Sequence, residues 1–282
     1  MSASEEINQT ENKAPIGIIA GGGELPQAVL DGARAQGRDV YIAALEHSAD
    51  DSLCHNTDHD WYALGQGGAI IKALRARGIS DIVMIGRVKR PNLKDIRPDL
   101  WTTKVLAKIG FKALGDNDLL VLINDALAAE GFTLHGAQDI VPDLLTPEGL
   151  LTKAKPDRHE ESDISHGKNV AKALGIMDVG QSVIIHDGVV LGVEGAEGTD
   201  QLIARCAEYR GKARGGVLVK LCKPQQDKRL DLPTIGVNTL EQLHKYGYAG
   251  VAIHAGNSLL PARAEFIDMA NKYKLFVVGV RT

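Results

Sequence analysis

The stretch that decides the fold is IGIIAGGGELP, residues 16–26. Its first five residues carry no charge and read as a short buried strand. Three glycines then permit a tight turn, and a helical pattern follows over residues 25–36. DVYIAAL, residues 39–45, reads as the next strand. LGQGGAIIKALRARG, residues 64–78, repeats the glycine turn and helix, and DIVMI, residues 81–85, is a further strand. Strand, helix, strand at this spacing requires parallel pairing with crossover helices. Further helices are expected over residues 100–113 and 117–130, and the polar interval at 47–60 reads as a loop. Residues 1–140 are thus expected to form one domain, a parallel sheet with helices on both faces, with residues 1–14 a disordered lead-in.

From Gly136 the pattern loosens. Three prolines and a charged end mark residues 141–165 as a connecting segment. Beyond it, SVIIHDGVVLGVEG (182–195) places apolar runs around Asp187-Gly188, a type I′ hairpin signal. Thr199 reads as the N-cap of a helix, GGVLVKLC (215–222) as a strand, and TLEQ (239–242) as a capping box. A strand at 249–256, a helix over 258–272 and a closing strand at 275–280 complete the pattern. The fold class is α/β, with two α/β domains: the N-terminal parallel sheet and a smaller, mixed C-terminal domain over 141–282.

The chain has 282 residues, 44% hydrophobic and 24% charged, which is ample for two buried cores. A formal charge of -4 and only 4% aromatic residues give no general attraction to nucleic acid. Three widely spaced cysteines, Cys54, Cys206 and Cys222, fit a reducing compartment. The polar N-terminus is unlike a signal peptide, and no run is long enough to span a membrane, so a cytoplasmic location is expected.

Four features could carry chemistry. The first is the glycine turn itself: Gly21, Gly22, Gly23 and Glu24 stand where a helix N-terminus favours phosphate. No Lys-Ser/Thr follows, so it is not a Walker A loop. Pro26 takes the third place of a GxGxxG pattern, and a plain strand-to-helix turn needs the same glycines. The second is IGRVKRPNLKDIRPD, residues 85–99, with Arg87, Lys89, Arg90, Lys94 and Arg97 available to a phosphate or an anionic headgroup. The third is GVEGAEGTD, where Glu194, Glu197 and Asp200 could serve Mg²⁺ or simply favour a helix start.

The fourth is KLCKPQQDKRLDLPTIG, residues 220–236. Lys220, Lys223, Asp227, Arg229 and Asp231 follow a strand, and two prolines stiffen the segment. Carboxylates there could hold Mg²⁺ or water, and cations could offset phosphoryl charge. A salt-bridged surface loop has the same composition. The histidines are weaker signals: His55 and His59 lack a helix to share, and His186 and His254 end strands as structural histidines do.

Five stretches taken together resemble one family: IGIIAGGGELP, IGRVKRPNLKDIRPD, ALGDNDLL (113–120), VLGVEGAEGTD (190–200) and VLVKLCKPQQDKRLDLPTIG (217–236). In this order they resemble the LpxI family, the UDP-2,3-diacylglucosamine pyrophosphatases of lipid A synthesis. The most specific part is the KPxQDxRxDxPxIG pattern. The resemblance implies two α/β domains, the first (1–140) Rossmann-like, with the lipid-bearing substrate held between them. It implies Mg²⁺-dependent hydrolysis of the substrate diphosphate to UMP and 2,3-diacylglucosamine 1-phosphate (lipid X), at the cytoplasmic face of a Gram-negative inner membrane. The family's catalytic aspartate falls on Asp227. Around it the expected catalytic set is Asp231, Lys223, Arg229 and Lys220. Gly21, Gly22, Gly23, Glu24, Arg87 and Thr199 would bind substrate, and Asp227, Glu194, Glu197 and Asp200 would bind Mg²⁺. A homodimer is left open, and no nucleic-acid partner is expected. Two alternatives stand beside this: an NAD(P)-dependent oxidoreductase using Glu46 as the ribose acid, and a nucleotide-sugar sensor without turnover.

Overall fold

The computed structural model describes residues 13–88, 98–109, 116–211 and 214–282. Residues 1–12 of the expected lead-in (1–14) lie outside them, as do Lys89, Arg90, Lys94 and Arg97 of the basic segment. The chain divides into two compact units, 1–141 and 142–282.

The first unit contains β1 (Ile16–Ala20), α1 (Glu24–Ala35), β2 (Val40–Leu45), β3 (Asp58–Tyr62), α2 (Gly67–Ala76) and β4 (Asp81–Ile85). It continues with α3 (Leu100–Ile109), α4 (Asp116–Ala129), β5 (Thr133–His135) and α5 (Ala137–Ile140). The strand order is β3-β2-β1-β4-β5, and every pairing is parallel. All five residues of the central strand β1 are buried, as a strand covered on both faces must be. Two strands escape the periodicity argument. DHDWY forms edge strand β3, pairing only with β2, so half its residues face outward and its sequence is polar. β5, on the other edge, has only three residues.

The second unit contains β6 (Gly149–Leu150), α6 (Arg158–Ile176), β7 (Ser182–His186), β8 (Val189–Val193), α7 (Thr199–Cys206) and β9 (Val217–Lys220). Then come α8 (Val237–Lys245), β10 (Gly250–His254), α9 (Arg263–Lys272) and β11 (Phe276–Val280). Its sheet runs β6-β11-β10-β9-β7-β8. β9, β10 and β11 are parallel, while β7 runs against β9 and β6 against β11. This sheet has six strands against the five of the first unit.

Several local expectations are corrected. The connecting segment expected at 141–165 already holds β6 and the first turns of α6, which starts from a capping box between Asp157 and Glu160. Gly198, not Thr199, occupies the N-cap of α7. α8 begins before TLEQ, at Val237, and α9 begins at Arg263 rather than near residue 258. The hairpin expectation holds: Asp187 and Gly188 have φ of 49° and 77°, as a type I′ turn requires. Asp163 of α6, 3% exposed, accepts the backbone N–H groups of Asp187 and Gly188 at 3.0 and 2.7 Å.

Strand alternation assigns the two faces of this sheet. Val183, Ile185, Val217 and Val219 join the core that includes Ile164 and Ala171 of α6. Ile184 and Leu218 join the opposite core with Leu202 and Ile203 of α7 and Leu240 and Leu243 of α8. Gly167 lets α6 lie close, since a Cβ there would stand 2.5 Å from Val219 Cγ2. Period two then sends Ser182 and Lys220 to the α7 side, at the carboxyl edge of β9.

Candidate active site

Lys220 and Ser182 are register partners at that edge. Lys220 is only 7% exposed, yet its Nζ donates to Thr199 Oγ1 at 3.0 Å. Thr199 donates its hydroxyl proton to Glu194 Oε1 at 2.7 Å, and Glu194 Oε2 accepts the Gln181 N–H at 3.2 Å. Ser182 Oγ lies 3.3 Å from Thr199 Oγ1. The result is a buried lysine amine joined to a buried carboxylate through one hydroxyl. Burial holds the Lys220 pKa below the usual lysine range, although the charges of Glu194, Asp200 and Asp231 oppose that shift. Thus the acidic motif after β8 and the basic motif after β9, separate in sequence, meet at one sheet edge.

The segment beyond Lys220 is more than a solvated loop. Leu221, Leu230, Leu232 and Ile235 are buried, and Pro233 O accepts the Leu259 N–H at 2.8 Å. Asp227 begins a helical turn, its carbonyl accepting from Leu230 and Asp231 at 3.0 and 3.1 Å. Arg229 grips its carboxylate: Oδ1 accepts the Arg229 N–H at 3.0 Å and Nε–H at 3.1 Å, and Oδ2 accepts Nη2–H at 2.7 Å. These bonds hold the Asp227 carboxyl below the usual carboxylate range. Asp231 Oδ2 accepts from Gln226 Nε2 at 2.5 Å, and Asp200 Oδ2 accepts from Asn238 Nδ2 at 2.9 Å.

The expected residues therefore divide. Lys220, Thr199, Glu194, Asp200 and Asp231 belong to one electrostatic neighbourhood. Lys223 points elsewhere and pairs with Asp178 at 2.7 Å. Glu197 is also turned away: it accepts from Arg205 at 2.8 and 3.1 Å, and its Oε2 caps Gly195 N–H at 3.0 Å. Both Glu194 oxygens are taken inside the fold. Among the described residues, no three His, Cys, Asp or Glu side chains converge as a metal cage. The donor set fits Mg²⁺ bound by one or two carboxylates plus phosphate oxygens, the usual habit of this ion.

Beside this cluster, a cleft of about 450 Å³ opens at the carboxyl ends of β9, β10 and β11. Lys172, Lys223, Lys228, His254 and Arg281 line it. His254, expected to be a satisfied strand-end histidine, has the Cys222 N–H on one nitrogen and the Thr282 hydroxyl on the other, but also faces this cleft. Its Nδ1 accepts the Cys222 N–H at 3.3 Å. A neutral ring then carries its proton on Nε2 and donates it to Thr282 Oγ1 at 3.2 Å. Burial, with help from Lys228 and Lys168, lowers its pKa and favours that neutral form. The cleft location of His254 and Lys172 was not readable from sequence, because it depends on which strands adjoin.

The glycine turn of the first unit is built differently. Gly21 N–H donates to Ile85 O at 2.8 Å, Gly22 N–H to Arg87 O at 2.9 Å, and Gly23 N–H to Asp50 Oδ2 at 3.1 Å. A Cβ on Gly22 would stand 2.3 Å from Ser48 O, so backbone approach alone demands glycine there. The phosphate cradle expected of Gly21–Gly23 is thus not presented by these N–H groups, which have partners within the unit. Glu24 is the first residue of α1, in the turn where an acidic side chain favours the helix dipole. Arg87 is exposed, with its guanidinium about the turn, 3.6 Å from where a Gly23 Cβ would lie. Glu46, the ribose acid of the oxidoreductase alternative, is exposed, and its N–H bonds Tyr62 O at 2.9 Å.

Comparisons with known proteins bear on the whole chain. A solved structure, the Bordetella bronchiseptica enzyme WbmG in complex with NAD and UDP, shares 12% identity over 42% of this chain and 34% of that one. Its TM-score of 0.28 is too low to bear on fold or function. A curated relative from Caulobacter vibrioides, UDP-2,3-diacylglucosamine pyrophosphatase LpxI, is 38% identical over 272 residues, 94% of this chain and 97% of that protein. Family models match both units, the LpxI N-terminal domain at residues 15–144 and the LpxI C-terminal domain at 147–278. Matched from one unit through the other, the chain belongs to the LpxI family.

Proposed function

We propose that this protein is a hydrolase that cleaves the diphosphate bond of UDP-2,3-diacylglucosamine in lipid A synthesis, releasing UMP and 2,3-diacylglucosamine 1-phosphate. The observation that carries the chemistry is the meeting of two motifs at the carboxyl edge of β9. An ionised Asp227 in its Arg229 grip stands in the same segment as Asp231, and Asp231 acts on the buried Lys220. The relative's printed activity supplies the substrate.

Asp227 with a lowered pKa is a weak base, so its role is to hold rather than to take a proton. It orients the attacking water or, with Asp231, holds Mg²⁺. The ion, when bound, offsets charge on the diphosphate oxygens. Lys220, protonated when phosphate charge joins that of Glu194, Asp200 and Asp231, acts strongly on developing negative charge in this low-dielectric setting. Thr199 and Glu194 fix its position. Arg229, half exposed, is available to a phosphate oxygen once its grip on Asp227 is shared. Arg87 is the cation proposed for the nucleotide part, with Gly21–Gly23 shaping the turn beneath it. Lys223 and Glu197 have no direct role in this scheme.

The substrate's acyl chains call for a location at the cytoplasmic face of the inner membrane. Among the described residues no helix is long and apolar enough to cross it. The decisive assay is UMP release by the Asp227→Ala protein with Mg²⁺ present. A fall of at least about a hundredfold is expected. Near-normal turnover would remove Asp227 from the mechanism, and intact substrate with the unaltered protein would favour a binding module instead.

A further inference from the structure

The last turn of α6 is the most apolar exposed feature near the catalytic edge. Ile176 and Met177 are 62% and 64% exposed, and Val179 follows them at 47%. Large apolar side chains this exposed in one turn are unusual on a protein surface unless something covers them. The turn is held firmly. Gly175 is packed against Pro224 and Lys223, and its carbonyl accepts from Gln225 Nε2 at 2.6 Å. Asp178 closes the helix with φ of 57° and takes Lys223 as its ion partner. The apolar group is therefore a fixed knob beside the segment that carries Asp227.

Its surroundings are cationic. Lys172 stands exposed one turn earlier on α6, and Lys168 is near enough to His254 to depress its protonation. Lys223, Lys228 and Arg281 line the adjoining cleft. Asp178 and Glu148 pair with Lys223 and Arg281, while Lys168 and Lys172 stand on the α6 surface leading to the knob. Apolar side chains ringed by Lys and Arg are the chemistry of interfacial binding. The apolar part enters the acyl boundary, and the ammonium groups meet anionic headgroups.

We infer that the C-terminal turn of α6 and the cationic rim beside it dock on an anionic phospholipid bilayer. This rests on the diacylated-substrate reading, and it gives that substrate a route from the membrane to the catalytic edge. The surface chemistry fits a lipid headgroup layer better than a second copy, whose matching knob would bring the same cations together.

The test is cosedimentation of the full chain with vesicles of phosphatidylcholine alone or mixed with phosphatidylglycerol. The unaltered protein should bind the anionic vesicles, and raised salt should weaken binding. Ile176→Glu with Met177→Glu should lower the partition coefficient about tenfold or more. The same variant should release UMP normally from detergent-dispersed substrate and poorly from substrate in vesicles. Sedimentation needs no turnover, so it stands even if the diphosphatase reading fails. Equal vesicle binding by the variant would overturn the inference. An equal loss in detergent would overturn it in favour of direct acyl-chain contact. A concentration-dependent dimer that the variant dissociates, with no vesicle binding, would overturn it in favour of a self-interface.

Discussion

The glycine turn of the first unit and the charged segment of the second invert their appearances in sequence. GGG at residues 21–23 reads as open backbone waiting for a phosphate, yet all three N–H groups have partners in the fold. KLCKPQQDKRLDLPTIG reads as a solvated loop, yet it begins on a buried lysine and packs four apolar side chains inward. Glycines report that backbones come close without saying whether the neighbour is a ligand or another strand. Charges at a strand end are informative only when the fold shows what lies beside them.

The contrast can be broken most forcefully at Lys220. Lys220→Ala leaves Glu194 buried without its cation, which should cost about 3–5 kcal/mol in a denaturant titration. A loss under about 1 kcal/mol would mean water reaches the site and the lysine is an ordinary surface cation. Next comes Asp227→Ala, with its hundredfold or greater loss of UMP release. Its unfolding free energy should change by only about 1 kcal/mol, because the Arg229 pair is partly exposed.

Gly22→Ala sharpens the other side of the comparison. With a Cβ forced to 2.3 Å from Ser48 O, the backbone must shift, and a loss of about 1–3 kcal/mol is expected in thermal or chemical unfolding. If the turn is a packing device, whatever activity remains should keep its KM for substrate once the protein is folded.

The smallest effect belongs to Arg229→Ala and is best read against pH. Arg229 lowers the Asp227 pKa, so removing it lets Asp227 protonate at higher pH. The acid limb of the activity profile should therefore move upward. The stability difference should stay within about 1 kcal/mol above the unfolded carboxylate pKa. It should vanish as pH falls through the folded pKa of Asp227. An unmoved acid limb would separate Asp227 from the titration that governs turnover.

Much of the fold was legible because its central strands are buried on both faces. β1, β2, β4, β9, β10 and β11 are apolar runs between turn signals, and the Asp187-Gly188 hairpin announced itself. β3 was hidden by its polar edge composition, and β5 and β6 by their brevity. The start of α6 was hidden among charges, although Asp157 and Glu160 form a capping box in plain view. At the candidate site, residue types were legible and partners were not. Nothing in the sequence says that Lys223 turns to Asp178 while Lys220 turns to Thr199. Two strand registers and a helix start decide that.

The small edge strand β6 bears on how the protein is made. Gly149 and Leu150 pair with Gly279 and Val278 of β11, and Thr152 Oγ1 accepts the Val277 N–H at 2.9 Å. The earliest strand of the second unit is thus completed by its latest. During synthesis the first unit can close as soon as β5 and α5 emerge. The second must keep its sheet edge and much of its core waiting for β11, so its long-range contacts form last and slowly. Truncation within β11 should therefore spare the folding of residues 1–141 while leaving the second unit a prey to proteases.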